Sequence, residues 1–376
     1  MTHSIQGLRQ VRPHDLVVEF SKELAIARAL GAGKPLGAYI GWTGQGNLGD
    51  EVLYEAHQVL FPDLSLVPYR PDFTAKYARK FRSNLPTYLA GFLGGGTLIN
   101  QSQTWLNRIL DLQNRGLPVA CLGAGVTPQE FQLSFEHTNL TQWIPALRKF
   151  TFLGVRGPHS QALLANAGLE VAITGDPVLA LAPQNIPAIK TNGVIGINLG
   201  VSAKTLMFGE PQQFLDNMVR IIKLLIKMDY QIRLMPVCDS DMASNTHVLE
   251  TIDNPGCTLV KAYESFDTYT EQTKNCHLFM GQKLHATVLA VTQRIPSVML
   301  AYQPKCDDFM ASIGQDRNSV RTSEITPESV IEKIMQLENT HAQERSNLDA
   351  QVIRLRTKQR EVANQVAQGF LEGSCR

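Results

Sequence analysis

The feature that most restricts this chain is an alternation that begins twice. Short, continuous apolar runs are followed by glycine-rich turns and then by stretches of helical period, first from Leu36 to Thr174 and again from Val194 onward. Runs that are apolar throughout, not on alternate residues, must be covered on both faces. A parallel sheet with helices on either side meets that condition. The first round predicts strands at Leu36–Trp42, Leu64–Tyr69, Tyr88–Leu93, Pro118–Leu122, Phe150–Val155 and Glu170–Thr174. Leu181–Gly193 then bears prolines and no period, as a linker does. The second round predicts strands at Val194–Gly200 and within Gln231–Val237, Cys257–Val260, His277–Met280 and Ser297–Ala301, with a strongly amphipathic helix at Pro211–Asp229.

At 376 residues the chain exceeds the usual size of a single core. The expected fold is therefore α/β, with two Rossmann-like domains in a GT-B-like arrangement around a cleft. Residues 1–183 form the first domain, 184–193 the linker, 194–325 the second domain and 326–376 a helical tail. One large sheet is the alternative. An amphipathic helix is expected over Pro13–Leu30, and tail helices over Pro327–Leu337 and Gln343–Phe370. The last has one apolar stripe, at Leu348, Val352, Leu355, Val362 and Val366, which suits packing against a domain or against another copy.

Composition excludes several classes. A net charge of +1 gives no reason to expect nucleic acid as a partner, so any positive field must be local. The six cysteines show no CxxC pairing, which gives neither zinc nor a disulfide framework a foothold. The start of the chain lacks an apolar core of signal-peptide length, and no apolar run has the length of a membrane span. The expectation is a soluble, cytoplasmic protein, with peripheral membrane contact left open. No G-x-S-x-G, H-E-x-x-H or Walker A pattern occurs.

Candidate site residues fall at the ends of the expected strands. Gly44-Gln45-Gly46-Asn47-Leu48-Gly49 matches GxGxxG in the right strand-to-helix context. The second strand, however, ends Pro68-Tyr69-Arg70 without an acidic residue, and Asp50 would repel a phosphate at that helix start. A nicotinamide site, a plain tight turn and a substrate-facing loop holding Asn47, Gly49 and Asp50 all remain open. Gly94-Gly95-Gly96-Thr97 suits either a backbone that offers N–H groups to an anion or a crowded sheet crossing. Arg156 opposes the dipole of the helix it precedes, so it holds either an anionic ligand or a carboxylate such as Asp176. Lys283, Leu284 and His285 open an apolar helix, and Tyr302 and Lys305 follow the next strand. The two strands bring Lys283, His285 and Lys305 to one end of a sheet, and such cationic neighbours keep an imidazole neutral. The other histidines singled out, His159, His247 and His277, lack such company in the sequence.

Taken together, GNLGD (Gly46–Asp50), GGGT (Gly94–Thr97), VRGPHS (Val155–Ser160), GDP (Gly175–Pro177), KLHATVLAV (Lys283–Val291) and IPSVMLAYQPK (Ile295–Lys305) resemble, in order, the polysaccharide pyruvyltransferase family. The resemblance runs from about Ile40 to Phe309. It implies a GT-B-like transferase that moves the enolpyruvyl carbons of phosphoenolpyruvate onto a sugar as a cyclic ketal, in envelope or exopolysaccharide synthesis. The implied partners are phosphoenolpyruvate and a saccharide acceptor, often lipid-linked, with neither cofactor nor metal. By the resemblance Arg156 binds the donor's carboxylate or phosphate, His285 donates the proton, and Lys305 matches the lysine after the Tyr-x-Pro turn. The family's Arg-Leu-His triplet falls on Lys283-Leu284-His285, so a lysine stands where the family has an arginine; by the resemblance it binds phosphoenolpyruvate with Arg156, keeping the charge and losing the bidentate fork. Two other readings carry different expectations: a glycosyltransferase using a nucleotide sugar, and a non-catalytic saccharide binder.

Overall fold

A computed structural model describes residues 33–70, 87–132, 138–185, 193–201 and 205–373, together with Ile26, Arg28 and Gly31. The helix expected over Pro13–Leu30 lies almost wholly outside the described residues, as does most of the expected linker.

Two all-parallel sheets hold the chain. The first contains β1 (Leu36–Ile40), β2 (Ser65–Pro68), β3 (Tyr88–Leu93), β4 (Gly96–Ile99), β5 (Val119–Val126), β6 (Phe152–Val155) and β7 (Ala172–Ile173). Its order is β2-β1-β3-β5-β6-β7, with β4 also on β5. The second contains β8 (Val194–Asn198), β9 (Gln231–Leu234), β10 (Cys257–Leu259), β11 (Leu278–Gly281), β12 (Ser297–Ala301) and β13 (Ser319–Arg321), in the order β10-β9-β8-β11-β12-β13. The single-sheet alternative falls. Every residue of β1, β5, β8 and β12 is buried, as continuously apolar strands require.

Two strands escaped the sequence reading. β4 follows β3 directly and pairs with the same neighbour, Leu93 facing Cys121 and Gly96 facing Ala124. The triple glycine is thus a kink within one strand line, with Gly96 at φ +89°. β13 is three residues long, too short to show a period.

The helices that shape the site are α1 (Leu48–Leu60), α2 (Gln103–Asn114), α3 (Leu140–Leu147), α4 (Pro158–Asn166), α5 (Pro211–Lys227), α6 (Met242–Ile252), α7 (Phe266–Thr273), α8 (Leu284–Thr292), α9 (Pro304–Ser312), α10 (Pro327–Asn339) and α11 (His341–Gly373). Proline occupies the first turn of α4, α5, α9 and α10, where its missing N–H costs nothing. Burial is continuous across the two sheets. One apolar cluster joins Val52 and Leu53 of α1 and Val178 of a short 3-10 helix (Pro177–Leu181) to Leu284, Val288 and Val291 of α8.

α11 settles where the tail goes. Its Leu348, Val352 and Leu355 join that shared cluster, and its Ala363, Val366 and Phe370 pack with Tyr39, Phe61 and Phe92 under the first sheet. The apolar stripe therefore crosses back within the chain. Among the described residues no helix is long and apolar enough to cross a membrane.

Candidate functional site

Arg156 leaves β6 and enters the turn before α4, where its side chain has 0% exposure. Gly125 makes this possible, because a Cβ there would collide with the guanidinium. Arg156 Nη2 donates to Thr97 Oγ1 at 2.8 Å. Nη1 lies 3.8 Å from Asp176 Oδ2 and Nε 3.9 Å from Asp308 Oδ2, distances of charge attraction without a hydrogen bond. Nε and Nη1 have no hydrogen-bond partner. Unmade bonds on a buried charge are expensive, and two donors of this guanidinium stay unmade.

Asp308 belongs to α9 of the second unit and caps α4 of the first. Its Oδ1 accepts from the backbone N–H groups of His159 (2.9 Å) and Ser160 (3.1 Å), and Oδ2 accepts from Ser160 Oγ at 2.6 Å. Gly157 is required there, since a Cβ would strike the Asp308 carbonyl. The same carboxylate thereby joins the two units and faces Arg156.

His285 sits in the first turn of α8, its side chain 13% exposed, with Nε2 3.8 Å from Asp176 Oδ2. Neither atom has a hydrogen-bond partner. Its ring lies against Gly49, where any Cβ would meet the imidazole. Burial lowers His285 to about 3, with Arg156 and Lys305 acting in the same direction. Asp176 is the mirror case: burial pushes its carboxyl up to about 6, against the pull of Arg156 and of the Val178 N–H it accepts at 3.1 Å. At neutral pH the pair is an ionised carboxylate facing a neutral imidazole. The Asp176 backbone is pinned from α11, where Gln359 Nε2 donates to the carbonyls of Thr174 (3.0 Å) and Asp176 (2.8 Å).

Lys283 points elsewhere. Its Nζ contacts Asp241 Oδ1 at 2.5 Å and donates to Cys238 Sγ at 3.0 Å. Burial alone would lower this ammonium, but Asp241 and Cys238 outweigh it and hold it above its usual range. Asp241 is anchored in turn by the Val237 N–H at 3.0 Å. Lys305 is half-buried with Nζ 4.7 Å over the Tyr302 ring, and burial brings it down to about 8. Asp50 accepts from Asn47 Nδ2 at 2.8 Å. Burial pushes Asp50 up to about 6, with Lys305 and Lys283 pulling down and Glu51 pushing up. Asn47 caps α1 by accepting from the Gly49 N–H, while the next residue, Leu48, donates its N–H to the Val237 carbonyl of the second unit at 3.1 Å. The loop that matches GxGxxG is thus a bridge between the units.

Several sequence expectations change. Burial first, then Arg156 and Lys305, holds His285 neutral; Lys283, two residues before it, pairs with Asp241 and Cys238 instead. Leu284, a candidate through its place between Lys283 and His285, lies in the apolar core at 3% exposure. Gly94 donates its N–H to the Ile40 carbonyl at 2.8 Å, so it does not offer that group to an anion. Cβ atoms at Gly94 and Gly95 would strike Tyr39 and Leu53, so crowding suffices to require glycine at both. Tyr302 is buried in the shared core with its phenol pushed up by burial. His277 has company after all: its Nε2 lies 2.7 Å from Glu338, and its ring stacks on His341 at 4.0 Å. The sequence reading missed Asp308, Asp241 and Gln359, for which no local motif signals a role.

Residues 47–304 match the model of a family described as polysaccharide pyruvyl transferase. Among solved structures, the UDP-GlcNAc 2-epimerase from Neisseria meningitidis bound to UDP-GlcNAc is 10% identical with a TM-score of 0.56, covering 90% of this chain and 100% of that one. A putative UDP-N-acetylglucosamine 2-epimerase from Listeria monocytogenes is 9% identical with a TM-score of 0.54, covering 84% and 91%. At such identities the likeness is one of fold, and that fold is GT-B-like. No curated protein matches the chain.

Proposed function

The chain belongs to the polysaccharide pyruvyl transferase family, and from that premise we propose that it transfers the pyruvyl carbons of phosphoenolpyruvate to a saccharide diol as a cyclic ketal. The acceptor stage is polysaccharide or cell-envelope synthesis, on a free or lipid-linked saccharide. The reaction balances without a cofactor. Two hydroxyl oxygens bond to C2 of the donor, the C2–O bond to phosphate breaks, and the two hydroxyl protons go to C3 and to the departing phosphate.

The observation that carries this reading is Arg156, a wholly buried guanidinium with two nitrogens that find no hydrogen bond. A planar fork with unspent donors suits a carboxylate or phosphate. His285 stands on the far side of Asp176, also with an unspent nitrogen. Held neutral in the free protein, it can take a proton from an attacking hydroxyl. A bound trianionic donor would raise its affinity for that proton and make it the acid that protonates C3. Asp176, 3.8 Å from His285 Nε2, balances the charge the imidazole acquires. Lys305 adds positive charge from the second unit. Because Arg156 has no exposure, donor entry requires the contacts between the units to part.

The test is phosphate release from phosphoenolpyruvate with a panel of saccharide acceptors, comparing the wild type with His285→Ala. Acceptor-dependent release that the substitution abolishes is the expected result. Thermal stabilisation by a nucleotide sugar, with none by phosphoenolpyruvate and no release, would overturn the reading in favour of a glycosyltransferase.

A further inference from the structure

Trp42 stands outside every role assigned so far. Of the large apolar side chains exposed among the described residues it alone is aromatic, at 37% exposure. The two other tryptophans of the chain, Trp105 and Trp143, are buried at 3% and 0%. An indole kept part-exposed offers an apolar face to a ligand where the fold gives it a reason to stand there.

Its position supplies one. Trp42 lies just beyond the C-terminal end of β1, and parallel α/β sheets bind ligands at that edge. It precedes the turn that carries Asn47, Gly49 and Asp50. The backbone after it is held by Arg70 Nη2, which donates to the Thr43 carbonyl at 3.0 Å. The ring itself stands nearly perpendicular to Trp105, at 81° with centroids 5.1 Å apart. Trp105 is fixed in its turn, because its Nε1–H donates to Gln101 Oε1 at 3.0 Å and the Arg108 guanidinium lies 4.8 Å over its ring. Trp105 opens α2, shortly after Thr97, whose hydroxyl holds Arg156. Both indoles are therefore tethered to segments that carry the candidate site.

We propose that Trp42, braced by Trp105, is a stacking platform for a pyranose ring of the saccharide acceptor. A pyranose has an apolar face of C–H bonds that loses water on a flat indole while its hydroxyls stay outward, free to react. A small trianion such as phosphoenolpyruvate has no such face, so the platform discriminates acceptor from donor. The inference rests on the pyruvyl-transfer reading only for what is done to the sugar once bound.

Two measurements test it. The first is tryptophan fluorescence of the full chain, titrated without phosphoenolpyruvate by the methyl β-pyranosides of galactose, mannose and glucose. Saturable quenching by at least one glycoside, abolished in Trp42→Ala, is expected; no quenching by any, or the same quenching in the variant, overturns the platform. The second is kinetic. Trp42→Ala should raise the acceptor KM by about tenfold while the phosphoenolpyruvate KM stays within about twofold, and Trp42→Phe should restore the acceptor KM. An unchanged acceptor KM, or an equal rise in both constants that Trp42→Phe does not rescue, sinks the proposal. Glycoside quenching with no phosphate release under any condition would keep the platform and remove the donor reading. Turnover with no Trp42 effect would do the reverse.

Discussion

Arg156 and Lys283 follow strands of different sheets and the family resemblance gives both to one anion, yet their surroundings are opposites. Arg156 is sealed at 0% exposure, its carboxylate neighbours Asp176 and Asp308 stand off at 3.8 and 3.9 Å, and two of its nitrogens make no hydrogen bond. Lys283 is 21% exposed on its side chain, with Asp241 at 2.5 Å and Cys238 at 3.0 Å. The contrast is between a charge the fold leaves partly unpaired and one it has already paired. Long pairs keep the guanidinium charged and leave two of its nitrogens without a hydrogen bond. A short pair neutralises the ammonium where it stands, which suits a lysine that maintains the loop after β9 more than one that grips a donor.

The largest expected break in this contrast is Arg156→Met. It should cost about a thousandfold in kcat/KM for phosphoenolpyruvate, and about 3–5 kcal/mol of stability because Asp176 and Asp308 lose their buried counter-charge. Phosphate-release kinetics beside denaturant melts check both, and an active variant would remove Arg156 from the donor site. Arg156→Lys should recover more stability than activity, since it restores charge without the fork.

Next comes Asp176→Asn, expected to lower kcat by roughly ten- to a hundredfold through loss of the charge that balances an imidazolium at His285. Its acid stability carries a second signature. With the carboxyl pushed up to about 6 from 3.8, the folded chain binds a proton that the unfolded chain does not between those values. Wild type therefore gains stability from this group as pH falls through that window, and the asparagine variant does not. His285 has the opposite sign. Held at about 3 against 6.5, it leaves the unfolded chain binding the extra proton, so its contribution is lost as pH falls below 6.5, and His285→Gln should remove that loss. Melts at pH 4 and pH 7 distinguish the two; parallel pH profiles for wild type and both variants would contradict the burial-driven shifts.

Asp241→Asn should cost about 1–3 kcal/mol by leaving Lys283 and the Val237 N–H less well paired, with catalysis changed by less than about tenfold. A collapse of activity equal to that of Arg156→Met would show that Lys283 shares the donor after all. The smallest effect is expected from Lys283→Arg, which keeps the charge beside Asp241 and should change kcat/KM by less than about threefold. A large rise would assign position 283 to bidentate donor binding, against the saturated pairing observed.

Much of this could be read along the chain because it is written in neighbouring residues. Continuous apolar runs and glycine turns foretold two parallel sheets, and the exposed-tail stripe of Leu348, Val352 and Leu355 foretold a packed helix. Arg156, Asp176 and His285 are candidates from their places at strand ends, and the fold brings Asp176 within 3.8 Å of both others. Leu284 enters the core because a motif runs through consecutive residues, while a helix turns each one about 100° from the last.

What the sequence by itself determined was the strand and helix alternation and the residue types that could carry charge into a cleft, since both depend on local order. Which charge meets which was decided only by tertiary structure. Asp308 reaches Ser160 across 148 residues and Gln359 reaches Asp176 across 183, and Lys283 is taken by Asp241 while Arg156 keeps donors unspent. Pairings of that kind follow from how the two sheets pack and where α11 returns, and electrostatic energy depends on distance and burial in space, which no spacing along the sequence records.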